Sequence, residues 1–381
     1  MLIGIDASRA TREQRTGTEG YSLHLIRALL ELDQHNEYVL YFNRPPRPGL
    51  FPASPRWRAR VMPCPRLWTH VRLSLEMLAA PPDVLFVPAH VLPIVHPRRS
   101  VVTVHDLGYR HEPQAHRPLD RLYLELSTRY NARAASQVIA DSAATKRDLV
   151  QLYGTDPQRI TVVPLGVDEL FQPVNDAARL AAVRAQYGIP GDYLLYVGTL
   201  QPRKNLVRLI EAWNKIRNSN FEIRNWVLVI AGKRGWLYEE IFATVQRLGL
   251  EGQVLFPGYV PEEDLPALLS GATAFVLPSL YEGFGLPVLE AMACGTPVIA
   301  ANVASLPEVV GDAGLLVDPL DTDALAAAMQ RLLTDAAPST PLRASLRAEL
   351  RQRGLARAKL FSWPRCAWET LAVLKNAQKL T

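Results

Sequence analysis

The feature that most limits what this chain can fold into is a regular alternation of short, unbroken apolar runs with longer amphipathic stretches, sustained from Leu2 to Leu333. In the first half the runs Leu2–Asp6, Tyr38–Phe42, Val84–Val87, Val101–Val104, Val138–Ala140 and Ile160–Val163 read as strands. Helices are predicted between them over Tyr21–Leu32, Leu119–Ala135 and Ala143–Tyr153. Such a βαβα rhythm specifies a parallel sheet covered by helices on both faces. The rhythm then starts afresh, with strands at Tyr193–Val197, Trp226–Ala231, Val254–Phe256, Ala274–Leu277, Pro297–Ala300 and Gly314–Val317. Its helices include Lys204–Arg217, Leu237–Leu248, Pro287–Ala293 and Thr322–Leu333.

Two doubly wound α/β domains are therefore expected, residues 1–172 and 173–362, with the join around Phe171–Val174. The 381 residues suffice for two separate cores. The block Leu342–Lys379 reads as a helix, a break at Trp363-Pro364 and a final helix, since proline is tolerated only in a first turn. Ligands of open α/β sheets bind beyond the carboxyl ends of the strands, so two facing sheets would make an interdomain cleft. Residues just after strands become the candidates for chemistry.

Composition narrows the class. Three cysteines, without a C-x-x-C or Cys/His cluster, make neither a disulfide framework nor a zinc site and suggest a reducing compartment. Met1 runs directly into a strand, so no secretory leader is expected, and no apolar run reaches the roughly 20 residues of a membrane span. A cytoplasmic location is the expectation. The net charge is +5, and seven arginines fall between Arg44 and Arg72 with no acidic residue among them. Trp57, Trp68 and several prolines share that segment, which reads as a surface loop able to meet anionic lipid headgroups or an anionic acceptor at the inner membrane face. Nucleic acid is not expected, because no binding motif accompanies the charge.

The most informative string is Ser279-Leu-Tyr-Glu282-Gly283-Phe284-Gly285-Leu286-Pro287-Val288-Leu289-Glu290, a strand end, a glycine-rich turn and a helix start. Proline suits the first helical turn, and unpaired amides at Leu286 and Val288 together with the helix dipole would favour a phosphate. Glu290 lies about 6 Å further along the helix, where a carboxylate can hold the hydroxyls of a ribose. Glu282, in the loop, is placed to hold a sugar hydroxyl. An ordinary strand–turn–helix connection with a capping carboxylate is the plainer reading.

In Gly198-Thr-Leu-Gln-Pro-Arg203-Lys204-Asn205, two cations are expected at a helix start, where they oppose the dipole. A diphosphate between Arg203, Lys204 and the Leu286–Val288 turn would compensate, and solvated basic residues on a turn are the alternative. His105 follows the strand Val101–Val104 directly and faces the same side, either as a site residue or bonded to backbone. Asp6 and the loop Thr16–Tyr21 follow the first strand, where they contact phosphate or acceptor, or only begin a helix. Asp321-Thr-Asp323 has a D-x-D form but precedes an Ala-rich helix and reads as an N-cap. There is no G-x-G-x-x-G after the first strand and no P-loop string.

In order along the chain, VTVHDLGYR, IADSAATKRDL, VVPLGVD, YVGTLQPRKNL, VIAGKRGW, FPGYVPEEDL, PSLYEGFGLPVLEAMACGTPVIA, SLPEVVGDAGLLVDP and FSW resemble the retaining glycosyltransferases of family 4, in particular the bacterial mannosyltransferase B branch. Its Glu-x7-Glu signature falls on Glu282 and Glu290. The resemblance implies a GT-B fold of two Rossmann-like domains, with a last helix over 363–381 packing back on the first. It implies a nucleotide-diphosphate sugar donor held by the second domain, with mannose from GDP-mannose favoured and a UDP-sugar as the alternative. Glu290 would take the ribose, Arg203 and Lys204 the diphosphate, and Glu282 with the backbone of Gly283, Phe284, Gly285 and Leu286 the sugar. Gly198 belongs to this group. Nucleobase contacts are expected near Gly258 and Tyr259, while Gly17 would lie near the diphosphate and His105 near the sugar. The implied reaction needs no metal, and the implied acceptor is a glycan or lipid-linked oligosaccharide of polysaccharide or O-antigen type. Where relatives carry Gly-x-Gly-Arg-Tyr, this chain has Gly17-Thr-Glu19-Gly20-Tyr21. A sugar-nucleotide 2-epimerase shares the fold plan, and a non-catalytic sugar-nucleotide binding subunit is a third class.

Overall fold

The apolar runs assemble as two parallel sheets. The computed structural model describes residues 1–12, 17–64, 66–89, 91–218, 226–335 and 345–379. The strands are β1 (Leu2–Asp6), β2 (Glu37–Phe42), β3 (Trp57–Val61), β4 (Val84–Val87), β5 (Ser100–Val104), β6 (Gln137–Ala140) and β7 (Ile160–Val162) in the first sheet. The second holds β8 (Tyr193–Val197), β9 (Val227–Ala231), β10 (Val254–Gly258), β11 (Ala274–Leu277), β12 (Val298–Ala301) and β13 (Gly314–Val317). Thr16 and Leu342, used in the expectations above, lie outside the described residues.

The strand orders are β3-β2-β1-β4-β5-β6-β7 and β10-β9-β8-β11-β12-β13. In each sheet the first of the inner strands has neighbours reached by crossovers of opposite direction, β2 and β4 around β1, β9 and β11 around β8. That reversal splays the following loops apart and opens a crevice at the carboxyl ends. The central strands are buried on both faces, which explains their unalternated Val, Ile and Leu content.

The chain divides into unit 1, residues 1–109, 116–166 and 361–381, and unit 2, residues 110–115 and 167–360. Within the stretch expected as the join, the Val174 amide donates to Ser270 Oγ at 3.0 Å. Chain return brings the helix Trp363–Lys379 onto the helix Gly17–Leu32 of unit 1, with the Trp363 and His24 rings stacked 5.3 Å apart.

One expectation is corrected. The arginine-rich stretch is a largely exposed loop only over residues 44–56: Trp57–Val61 is an edge strand paired in parallel with β2, and Trp68–Leu73 is a helical turn. Arg60 and Arg72 converge on the buried Glu76 carboxylate, at 2.8 and 3.4 Å, and Arg56 bonds Gln34. The alternation in Trp-Arg-Ala-Arg-Val allows a strand, and charged side chains on an edge strand discourage further pairing.

Candidate functional site

The reversal point of unit 2 lies between β8 and β11, and the two strings singled out above are the loops that leave these strands. Arg203 and Lys204 do not begin a helix. They occupy a 3₁₀ turn, Pro202–Lys204, and the helix Leu206–Arg217 starts only after Asn205, whose backbone is left-handed (φ 59°). Asparagine tolerates that conformation, and its amide donates to the carbonyls of Pro278 at 3.0 Å and Pro319 at 2.7 Å. The Leu280 amide donates back to the Arg203 carbonyl at 2.9 Å. The two loops are thus one rigid piece.

The cations on that piece face Glu282. Lys204 Nζ lies 2.5 Å from Glu282 Oε1, and Arg203 Nη1 lies 3.5 Å from Oε2 while donating to the Tyr281 carbonyl at 2.6 Å. All three side chains are largely buried. Burial works against the Glu282 charge, but the charges of Lys204 and Arg203 outweigh it and hold the carboxyl below its usual range. Two cations and one anion leave a net positive charge at the carboxyl end of the sheet. The compensation sought for two basic residues is therefore present within the protein, in the Glu282 carboxylate.

The turn around Glu282 is pinned from a third element. Ser305 Oγ is 2.8 Å from the Glu282 carbonyl and 3.0 Å from that of Phe284. Gly283 and Phe284 are buried in it. Gly285 caps the helix Leu286–Ala293 with φ 107°, and a Cβ there would come within 2.6 Å of Leu306 Cδ2. Only glycine satisfies both demands. The amide expected free at Val288 is not, because it donates to the Gly285 carbonyl at 3.0 Å. Pro287 has no amide, so Leu286 carries the N–H of the first turn that can still point at a ligand.

Glu290 stands one turn in. Burial pushes its carboxyl up to about 8, and the nearby negative charges of Glu262 and Asp168 add to the effect. Gly198, Gly232 and Gly258 close the carboxyl ends of β8, β9 and β10. Gly198 donates to the Ala231 carbonyl at 2.9 Å, and Gly232 to the Gly258 carbonyl at 2.7 Å. Gly232 has φ 144°, and a Cβ on it would lie 1.9 Å from the Gly198 oxygen. Tyr259, next along, is exposed. Asp321 is a helix cap, accepting from the Ala324 amide at 2.9 Å, and Asp323 pairs with Lys215 at 2.5 Å.

In unit 1, His105 follows β5 as expected. Its Nδ1 lies 2.7 Å from Asp141 Oδ2 and its Nε2 2.9 Å from the Pro88 carbonyl, with the Tyr21 ring edge-on 4.8 Å away. Burial disfavours the imidazolium, but the Asp141 charge and the acceptors on both nitrogens outweigh it and raise the histidine pKa. Gly17 begins the first helix, and Glu19 in its first turn pairs with Arg9 at 3.2 Å. Asp6, buried at the end of β1, has its carboxyl pushed up to about 6 by burial.

Sequence reasoning missed Asn205, Ser305 and Asp141. Asn205 had a signal, standing directly after the two cations where a helix has to start. Ser305 and Asp141 act through the fold, and nothing local marks them. Among the described residues no cluster of His, Cys, Asp or Glu is arranged to hold a metal ion.

Residues 182–354 match the glycosyl transferases group 1 family, and residues 15–169 match glycosyltransferase family 4. Over 284 residues the chain is 39% identical to O-antigen chain mannosyltransferase B of Escherichia coli, covering 74% of this chain and 70% of that protein. Sucrose-phosphate synthase from Thermosynechococcus elongatus superposes with a TM-score of 0.74 at 25% identity, over 98% of each chain. HepE of Anabaena, solved in complex with UDP and glucose, superposes with a TM-score of 0.73 at 20% identity, over 98% of this chain and 99% of that one.

Proposed function

Because the chain belongs to glycosyltransferase family 4, and is thereby a glycosyltransferase of GT-B fold, we propose that it moves a hexose from a nucleotide-diphosphate sugar to a glycan or lipid-linked glycan acceptor with retention of configuration, in assembly of an O-antigen-type polysaccharide. The observation that carries this reading is the fixed, buried Arg203–Glu282–Lys204 cluster at the reversal point of unit 2, with Glu290 one helical turn beyond it.

The leaving group of such a transfer is a nucleoside diphosphate, whose negative charge grows as the glycosidic bond breaks. Cations already held in place stabilise that charge without reorganising, and a charge-assisted bond to each phosphate oxygen contributes about 1.5–3 kcal/mol. Lys204 and Arg203 would be those cations, and the Leu286 amide would add a donor at a helix start. Glu290, in its ionised form, would accept the ribose hydroxyls. Glu282 and the Gly283–Gly285 backbone would contact the sugar, and Gly258 and Tyr259 the base. The site so drawn needs no metal. In unit 1 both His105 nitrogens are engaged, so it cannot act as a proton acceptor without giving up a bond.

Mannose from GDP-mannose is the proposed donor, supported by the similarity to the mannosyltransferase. A UDP-sugar is the second reading, favoured by the HepE complex. Calorimetric titration with GDP, UDP, ADP and TDP, with and without magnesium, separates the two. Tight, magnesium-independent binding of GDP alone is expected, and it should weaken in Arg203→Ala and Glu290→Ala. Preference for UDP would replace the donor, and no binding to any of the four would overturn the assignment. Formation of an isomerised nucleotide sugar without acceptor would indicate a 2-epimerase instead.

A further inference from the structure

The helix Pro118–Ala134 in unit 1 is amphipathic the wrong way round for a soluble surface. It buries Thr128, Asn131 and Ala132, yet turns Leu119, Leu122, Tyr123 and Leu126 to the outside. These four stand at i, i+3, i+4 and i+7, so they share one face. Leu119 is 80% exposed and Leu126 58%.

A second stripe lies beside the first. The helical turns Trp68–Leu73 and Ser74–Ala79 leave Leu67, Val71, Leu75 and Leu78 exposed, again at helical spacing. The His70 and Tyr123 rings meet edge-on at 6.5 Å and join the two stripes. Between them, Ile94 is 67% exposed. Its segment is tied to both stripes, by the Tyr130 hydroxyl on the Pro93 carbonyl at 3.0 Å and by the Val95 amide on Ser74 Oγ at 3.2 Å. Scattered exposed leucines are ordinary, whereas a contiguous apolar face of this kind marks a contact surface.

The charges around the face select the occupant. Arg66, Arg98, Arg117, Arg121, Arg129 and Arg133 are exposed on these segments, and Asp120 is the exposed acid among their described residues. Glu76 is buried under Arg60 and Arg72, and Glu125 is half-buried against Tyr153 and Arg129. Exposed leucines on segments whose exposed charges are almost all arginine fit a surface that is apolar inside and anionic at its rim. No described helix is long and apolar enough to cross a membrane, so the contact is one of lying on the surface.

We propose that this face of unit 1, built from residues 67–78, 94 and 119–126, docks on an anionic lipid bilayer. The arginine-rich segment 44–72, taken alone as the membrane contact in the sequence, contributes only its end at Arg66–Val71, since Arg56 and Arg60 are engaged within the protein. The inference does not rest on the donor or the acceptor.

Sedimentation of the full chain with phosphatidylcholine vesicles, with and without phosphatidylglycerol, tests it. The wild type should pellet with the mixed vesicles and much less with phosphatidylcholine alone. The double variant Leu122→Gln/Leu126→Gln should lose about tenfold or more in partitioning. Both side chains are already exposed, so folding and nucleotide binding by calorimetry should not change. Arg129→Gln/Arg133→Gln, which lie one and two turns further along the same helical face, should weaken binding to the anionic vesicles selectively, and Arg44→Gln/Arg47→Gln should leave it near the wild type. Failure of the wild type to pellet, or pelleting indifferent to the leucine changes, overturns the proposal. So does a wild-type dimer in solution that the same leucine changes dissociate, because the face would then belong to a second copy.

Discussion

Lys204 Nζ lies 2.5 Å from Glu282 Oε1, across 78 residues of sequence, and the two meet because β8 and β11 are neighbours in the sheet. A cation placed at the end of one strand finds its anion in the loop after the next.

Removing the anion exposes the cost of that arrangement. Glu282→Ala leaves Arg203 and Lys204 buried without their carboxylate, and breaking such a pair from one side costs about 3–5 kcal/mol. A clear fall in Tm is expected. A nucleoside diphosphate should restore more of it in the variant than it adds to the wild type, since phosphate replaces the lost negative charge. Equal Tm values for variant and wild type in thermal melts would contradict the buried ion cluster.

Glu290 makes two processes depend on pH. Its carboxyl titrates near 4.5 when unfolded and is pushed up to about 8 when folded. The folded state therefore holds a proton that the unfolded state has lost, and its contribution to stability is full below about 4.5 and lost as pH rises to about 8. Nucleotide affinity should move the other way, rising towards pH 8 as the carboxylate forms. Glu290→Gln should flatten both slopes, in melts and in calorimetry. A variant that keeps the wild-type pH dependence would assign it to another group.

Gly232 and Gly249 give a matched pair. Gly232→Ala pushes a methyl against the Gly198 oxygen, so it should destabilise unit 2 by about 1–3 kcal/mol beyond the backbone cost alone. Gly249→Ala, also left-handed (φ 60°) but facing open space, should cost only the strain of about 1–2 kcal/mol. Denaturant melts of the two single variants should rank them in that order, and the reverse order would mean the strand ends relax freely.

Asp141→Asn tests the buried pair in unit 1. Burial alone favours neutral imidazole, so without the Asp141 charge the His105 pKa should fall. With Asp141 present, the raised histidine pKa stabilises the fold at low pH, and that part is lost as pH climbs through it. An NMR titration of the His105 ring in both proteins reads the shift directly, and an unmoved value would show that the pair does not set it.

Much of this was legible without coordinates. Apolar runs such as Val84–Val87 and Ala274–Leu277 mark strands buried on both sides, because only a covered parallel sheet needs neither face polar. The string from Ser279 to Glu290 likewise fixes its own turn and helix start, since the conformations open to Gly285 and Pro287 are local properties. Trp57–Val61 is different. Five residues with two arginines are ambiguous alone, and the free edge of β2 decides that they form a strand.

What the sequence determined by itself is everything set within a few residues: the two βα rhythms, the turn chemistry and which side chains share a helical face. The tertiary structure decided which of those faces turns inward and which distant groups meet. Helical spacing puts Leu119, Leu122 and Leu126 together but cannot say that they point outward. Nothing in the spacing of Arg203, Lys204 and Glu282 says that they form one cluster. Periodicity follows from backbone geometry alone, whereas burial and ion pairing depend on strand order, which brings residues far apart in the chain to the same edge of a sheet.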